Sequence, residues 1–216
     1  MSVRRMDMVS LGVTGLTAAV TVAVYDRLPL RMATHWDLEG NANGWMPRAM
    51  GAFFAPVFAL ALWALLRFLP RILPKSEKKR LGASSSAVVA AMTTVFLSAV
   101  HLLILYVAII PGASLSRIIW IVLGAFYVAM GLVLPRIKRN ALMGIRTPWS
   151  LTSDENWSRT QRVGGYAMVL GGIVAGLCGV LGGPTGGLFA IGVLLMSALV
   201  PAAYSLIFAR RQDQRS

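Results

Sequence analysis

Charge, acid and sulfur are scarce in this chain, and each shortage excludes something. Only 13% of its 216 residues are charged, against about a quarter in soluble domains. A water-soluble protein of this length is therefore not the expected class. Just eight residues are acidic, and none lies inside the apolar core of a predicted span, which argues against an ion-coupled pump built on buried carboxylates. The one cysteine, Cys178, sits in an apolar run, so neither an intrachain disulfide nor a cysteine metal site can form. The chain also lacks H-E-x-x-H, G-x-S-x-G, a P-loop, and a G-x-G-x-x-G after a strand. An enzyme is not expected, and no cofactor is implied.

Apolar sequence is what the chain has in abundance. Hydrophobic residues make up 56% of it, and the mean hydropathy is +0.68. Six long runs stand out, at 8–25, 51–69, 85–110, 118–134, 163–181 and 188–208. Each can cross a hydrocarbon core of ~30 Å, which takes roughly 20 helical residues with some tolerance. The first run follows Arg4 and Arg5 as a signal peptide would, but it exceeds the usual apolar length of ~7–15 residues. No small-residue cleavage site precedes Asp26, so a retained helix is expected. The expected fold class is an all-α integral membrane protein, a single six-transmembrane-helix bundle.

Basic residues supply an orientation. With six spans, seventeen of the 21 lysines and arginines fall on one side and four on the other. The positive-inside rule then places both termini in the cytoplasm. The net charge of +13 therefore marks topology, and no direct nucleic-acid partner is expected. The basic cluster from Arg71 to Arg80 has no aromatic residue for base stacking, and anionic lipid is its simplest partner. Glycines recur every four residues in the fifth run, as in Gly172 and Gly176, making a ridge for close helix approach. Packing within the bundle is favoured over a dimer seam. Gly183 to Gly187 is read as a tight outer turn.

The loop at 26–50 is then extracytoplasmic. Alternation through Met32, Thr34 and Trp36 suggests a short strand, and Gly40-Asn41 and Asn43-Gly44 are turn signals that fit a brief hairpin before the second span. His35, Asp37 and Glu39 share one face of such a strand, where a cation site is usually assembled. A calcium loop fails, because Ala42 replaces the required glycine and Arg48 the closing glutamate. A transition-metal site remains a weak alternative, and a polar cap with Trp36 and Trp45 at the interface is the simpler reading. Within the membrane only His101 is ionisable. Thr94, Ser98 and His101 share a helical face, and helix-joining hydrogen bonds are favoured over proton handling.

The loop at 135–162 is the other polar interval. Thr147-Pro148 must be extended or turned. Thr152-Ser153-Asp154-Glu155 reads as a capping box that starts a short cytoplasmic interfacial helix. Trp149 and Trp157 are expected as interface anchors.

Asn140, Gly144-Ile145-Arg146-Thr147-Pro148-Trp149, Trp157, Thr160 and Gly164-Gly165 resemble the signature of the SdpI family of bacterial membrane proteins. Leu28-Pro29, His35-Trp36, Gly40, Gly44-Trp45 and Pro56 resemble a domain of unknown function that often accompanies it. The resemblance implies immunity to a secreted Sdp-type killing peptide and the holding of a cognate cytoplasmic repressor at the membrane. On that reading Asn140, Gly144, Arg146, Thr147, Pro148, Trp149, Trp157 and Thr160 meet the cytoplasmic partner. His35, Trp36, Asp37, Glu39, Gly44 and Trp45 meet the toxin outside. The alternatives are a metal-dependent membrane enzyme using His35, Asp37, Glu39 or His101, and, less favoured, a small-solute transporter.

Overall fold

The computed structural model describes residues 2–37, 40–76, 82–113, 115, 117–140 and 142–214. Glu39, Lys78, Lys79, Arg80 and Arg215 lie outside the described residues. Six long helices run back and forth: α1 (Val3–Val24), α2 (Arg48–Ile72), α3 (Ala83–Ile109), α4 (Ile118–Val133), α5 (Asp154–Leu181) and α6 (Gly183–Asp213). All six are long and apolar enough to cross a bilayer, and their large outward side chains, such as Leu16, Phe54, Leu177 and Leu195, are exposed. This is an integral membrane protein with an all-α bundle. Between α1 and α2 lies a hairpin of β1 (Arg31–Trp36) and β2 (Ala42–Pro47).

The helices pack as two sets of three. In the first, α3 lies against both α1 and α2; in the second, α5 lies against both α4 and α6. The contact between α3 and α4 joins the sets. Lipid offers no hydrophobic drive between helices, so close backbone approach and polar contacts must supply the association. Both are present. A Cβ on Gly131 would come within 2.7 Å of the Gly165 carbonyl, and one on Gly165 within 2.8 Å of the Gly131 carbonyl. Gly124 and Gly172 meet in the same reciprocal way about two turns further along the same seam. The glycine ridge of α5 is thus used inside the bundle, against α4.

In the first set, the seam between α1 and α3 is polar. Ser10, Thr14, Thr17 and Thr21 are buried along α1, facing the side on which α3 buries Thr94, Ser98 and His101. Ser10, Thr17 and Thr21 donate to carbonyls four residues back, which lets hydroxyls sit in an apolar interior.

Three boundaries differ from the sequence reading. Helix α1 begins at Val3, capped by Ser2, and so includes Asp7. That carboxylate, expected outside any helix, lies against Arg67 of α2 at 2.6 Å and also accepts from the Trp63 indole at 3.2 Å. Helix α5 begins at Asp154 and is continuous to Leu181, so the stretch read as a separate interfacial helix forms its first turns. Gly182 and Gly183, both at positive φ, make the turn between α5 and α6, and Gly183 to Gly187 opens α6 instead of forming the loop.

Candidate functional site

The loop from Leu134 to Ser153 is the longest irregular stretch among the described residues. A loop of this length usually carries function or is disordered. Here it is bonded almost throughout. It leaves α4 in a 3₁₀ turn at Leu134–Arg136. Asn140 then folds the backbone around its own amide: Oδ1 accepts from the Leu142 and Met143 N–H groups, both at 2.8 Å, and Nδ2 donates to the Lys138 carbonyl at 2.7 Å. This is the local side-chain bonding that asparagine offers in turns.

Gly144 follows at φ 99°, a left-handed conformation favourable only to glycine. A Cβ there would also meet the Gln161 Oε1 at 2.9 Å and the Trp157 ring at 3.0 Å. The close approach brings Ile145 beside α5, where its backbone pairs with the Gln161 side chain as a strand would. Thr147 and Ser150 bond reciprocally, each hydroxyl accepting the other's backbone N–H at 2.9 Å.

Two further ties fix the loop to the helices. Thr147 Oγ1 lies 2.7 Å from Ser205 Oγ on α6, and the same Ser205 joins α6 to α5, its carbonyl accepting from Asn156 Nδ2 at 3.0 Å. Thr160 donates to Asn156 Oδ1 at 3.0 Å. The Trp157 indole, only 3% exposed, donates to the Ile137 carbonyl at 2.8 Å and packs with Leu134, Ile137 and Met143. Leu66, Leu73 and Val89, from the first helix set, close over this cluster. Trp157 is therefore a core residue, contrary to its reading as an interface anchor: its ring fills the space under the loop.

The helix start also differs in detail. Ser153, not Thr152, caps α5, its hydroxyl accepting the Asn156 N–H at 3.0 Å. Thr152 donates instead to the Trp149 carbonyl at 2.7 Å. Arg139 braces the junction, bonding the Leu151 carbonyl at 2.8 Å and pairing with Asp154 at 2.7 Å.

The inner signature thus divides. Asn140, Gly144, Thr147 and Trp157 build the loop, and Thr160 bonds Asn156 within α5. Arg146, Pro148 and Trp149 are exposed on the loop, within four positions that also hold the bonded Thr147. Sequence reasoning missed Arg139, Ser150, Asn156, Gln161 and Ser205. A usable signal existed for Asn156 and Thr160, whose four-residue spacing puts both on one helix face.

At the opposite end, the hairpin is docked on α2 and α3 through Leu28, Met32, Ala52 and Leu105, all buried. Its pairing is irregular on both sides of His35, which faces Gly44. His35 Nδ1 bonds Asn43 Oδ1. Asp37 closes the turn, its Oδ1 accepting the Asn41 N–H at 2.7 Å. These two candidate metal ligands thus take partners within the hairpin, and among the described residues no three of His, Cys, Asp and Glu come together. Trp36, with His35 and Asp37, roofs a cavity of about 330 Å³ whose floor is Ile104, Leu115 and Trp120. Trp45 is exposed.

His101 is buried, with Nε2 2.9 Å from Thr21 Oγ1. The Thr21 proton is engaged by the Thr17 carbonyl at 2.8 Å, so Nε2–H is the donor. Nδ1 is then an acceptor and has no partner among the described residues.

Comparison with known families accounts for both ends of the bundle. A model described as the SdpI/YfhL protein family matches residues 136–205. These include the pinned loop, α5 and much of α6. A model described as a domain of unknown function (DUF1648) matches residues 12–72, which take in most of α1, the hairpin and α2. No curated protein and no solved structure matches the chain. The two matches together support assigning the chain to the SdpI family of membrane proteins, with the domain of unknown function at its N-terminal side.

Proposed function

We propose that this protein is an immunity and signalling protein of a bacterial cell membrane. In this reading its hairpin meets a secreted antibacterial peptide outside, and its pinned loop offers a docking edge to a cytoplasmic regulator. The observation that carries the reading is the division of the inner signature. Four of its residues, Asn140, Gly144, Thr147 and Trp157, bind the loop into one conformation, while Arg146, Pro148 and Trp149 stand exposed on it.

A docking edge benefits from this arrangement, because a rigid recognition surface loses little conformational entropy on binding. Arginine and tryptophan are also the side chains that most often dominate binding energy at interfaces. The bias of basic residues toward the loop end supports a cytoplasmic position for it. At the other end, the cavity beneath Trp36 has an apolar floor and a polar roof, a combination suited to one side chain of an amphipathic peptide. The SdpI family is not a known enzyme family, which agrees with a binding role.

The test is expression in a bacterium sensitive to an Sdp-type peptide. Protection is expected, and Arg146→Ala or Trp149→Ala is expected to keep the protein in the membrane while losing regulator recruitment. Full membrane insertion without protection against any such peptide would remove the immunity reading.

A further inference from the structure

Beside the pinned loop lies a cleft of about 340 Å³, lined by Pro135, Arg136, Ile137, Lys138, Arg139, Asp154, Trp157 and Ser158. Its charge is unbalanced. Asp154 is the only acid in the lining, and it is already paired with Arg139 at 2.7 Å. Arg136 and Lys138 are exposed and make no ion pair among the described residues. One helical turn past Ser158, Arg162 is also exposed, its Nε resting 3.5 Å from the Ser158 carbonyl. Arg136 and Lys138 thus line the cleft, and Arg162 stands one helical turn from its lining residue Ser158, all three without a carboxylate partner among the described residues.

The surface running away from this cleft is apolar. Tyr166, one turn beyond Arg162 on α5, is 72% exposed, and Leu170 is 65% exposed. Leu132, at the adjoining end of α4, is exposed as well. A cationic cleft at a helix end, continued by an exposed apolar face toward the membrane interior, has the form of one kind of ligand. We propose that the cleft binds the phosphate headgroup of an anionic phospholipid, held by Arg136, Lys138 and Arg162, with an acyl chain lying along Tyr166 and Leu170.

Basic pockets at the ends of membrane helices are suited to anionic headgroups, since a positive charge near such a surface gains about 1 kcal/mol. Arginine adds a planar fork that can bond two phosphate oxygens. The apolar track argues for lipid over a soluble acidic partner, which would leave Tyr166 and Leu170 uncovered. It also argues against free phosphate. This site is separate from the Arg146–Trp149 edge and does not depend on the function proposed for that edge.

The test uses the full chain purified in a neutral detergent, with lipid retention read by native mass spectrometry. Phosphatidylglycerol is expected to be retained over phosphatidylcholine. The triple variant R136Q/K138Q/R162Q is expected to lose that preference, by roughly fivefold per cation removed. The variant R4Q/R5Q/R210Q, with the same change in net charge elsewhere, is expected to keep it. K138Q alone supplies the same reading if the triple variant fails to accumulate. Equal retention of both lipids, or equal loss in both triple variants, would overturn the assignment. So would displacement of phosphatidylglycerol by millimolar inorganic phosphate, which would indicate a free-anion site. Tighter binding of an acidic peptide than of phosphatidylglycerol would also overturn it, in favour of a protein ligand.

Discussion

The side chain of Gln161 holds the backbone of Ile145 at both of its polar groups, accepting its N–H at 2.9 Å and donating to its carbonyl at 3.0 Å. A glutamine on a helix has taken the place of a neighbouring strand. Gln161→Leu leaves the Ile145 N–H without a partner, at about 1–3 kcal/mol, and leaves its carbonyl with the Ser150 hydroxyl alone, at 3.0 Å. The expected result is a lower thermal unfolding midpoint in detergent, with faster proteolysis between Leu134 and Ser153. Gln161→Glu is expected to be nearly as harmful, because a carboxylate cannot donate to the Ile145 carbonyl. An unchanged midpoint for Gln161→Leu would show that the pairing contributes little.

Asp7 and Arg67 are joined by two contacts, of 2.6 and 3.1 Å, in a partly exposed setting. Arg67 is also 3.5 Å from Ser86 on α3, so one guanidinium connects α1, α2 and α3. Asp7→Asn keeps the shape and removes the charge, with an expected loss of about 1–3 kcal/mol. The pair is tested by a double-mutant cycle with Arg67→Gln, in which the two losses are expected not to add.

The contact of Gly131 with Gly165 can be tested against a built-in control. Gly131→Ala places a methyl group 2.7 Å from the Gly165 carbonyl, forcing α4 and α5 apart at an expected cost of about 1–3 kcal/mol. Gly176 lies on α5 with nothing within 4 Å of an added Cβ, so Gly176→Ala is expected to be neutral or slightly stabilising. Equal losses in the two variants would mean that helix approach is not set at Gly131.

These three predictions mark what hydropathy can and cannot read. The six spans were legible because each helix exposes an apolar surface to lipid, and a run of apolar residues is a local property. The hairpin was legible from the alternation through Met32, Thr34 and Trp36 and from the Gly40-Asn41 turn signal, whereas Asn43-Gly44, the other turn signal, lies within β2, where Gly44 faces His35. Asp7 was not, since its burial rests on Arg67, sixty positions away in the chain. The first turns of α5 read as a surface helix because Asn156, Thr160 and Gln161 are polar. They are buried all the same, as Ser205, Ile145 and one another satisfy them. Trp157 was misplaced for the same reason: an indole suits an interface until a carbonyl such as that of Ile137 is brought beneath it.

His101 and Thr21 meet at a depth where lipid surrounds the bundle, and their bond joins α3 to α1. Hydrogen bonds between membrane helices average about 0.6 kcal/mol and reach about 1.7 in measured cycles. A cycle of His101→Leu and Thr21→Val is expected to give a coupling within that range. A coupling near zero would leave the histidine without a structural role and direct attention to its unpartnered Nδ1.

The division of the inner signature makes the sharpest prediction, because stability and function should separate within a few positions. Trp157→Ala empties the space under the loop and removes the bond to Ile137, so it is expected to cost about 3–5 kcal/mol, as loss of a buried aromatic does. Any loss of activity in that variant would follow from loss of fold. Trp149 is 37% exposed and makes no side-chain hydrogen bond among the described residues. Trp149→Ala is therefore expected to shift stability by no more than about 0.5 kcal/mol. If the exposed edge is where a regulator docks, this variant should still lose recruitment, measured by co-purification from membranes or by relocation of a labelled regulator to the cytosol. Arg146→Ala should behave alike, and Arg146→Lys should recover little if the planar guanidinium is what the partner reads. Trp149→Ala and Arg146→Ala proteins that fold normally and recruit normally would place the docking surface elsewhere, leaving the exposed edge as a membrane-surface contact.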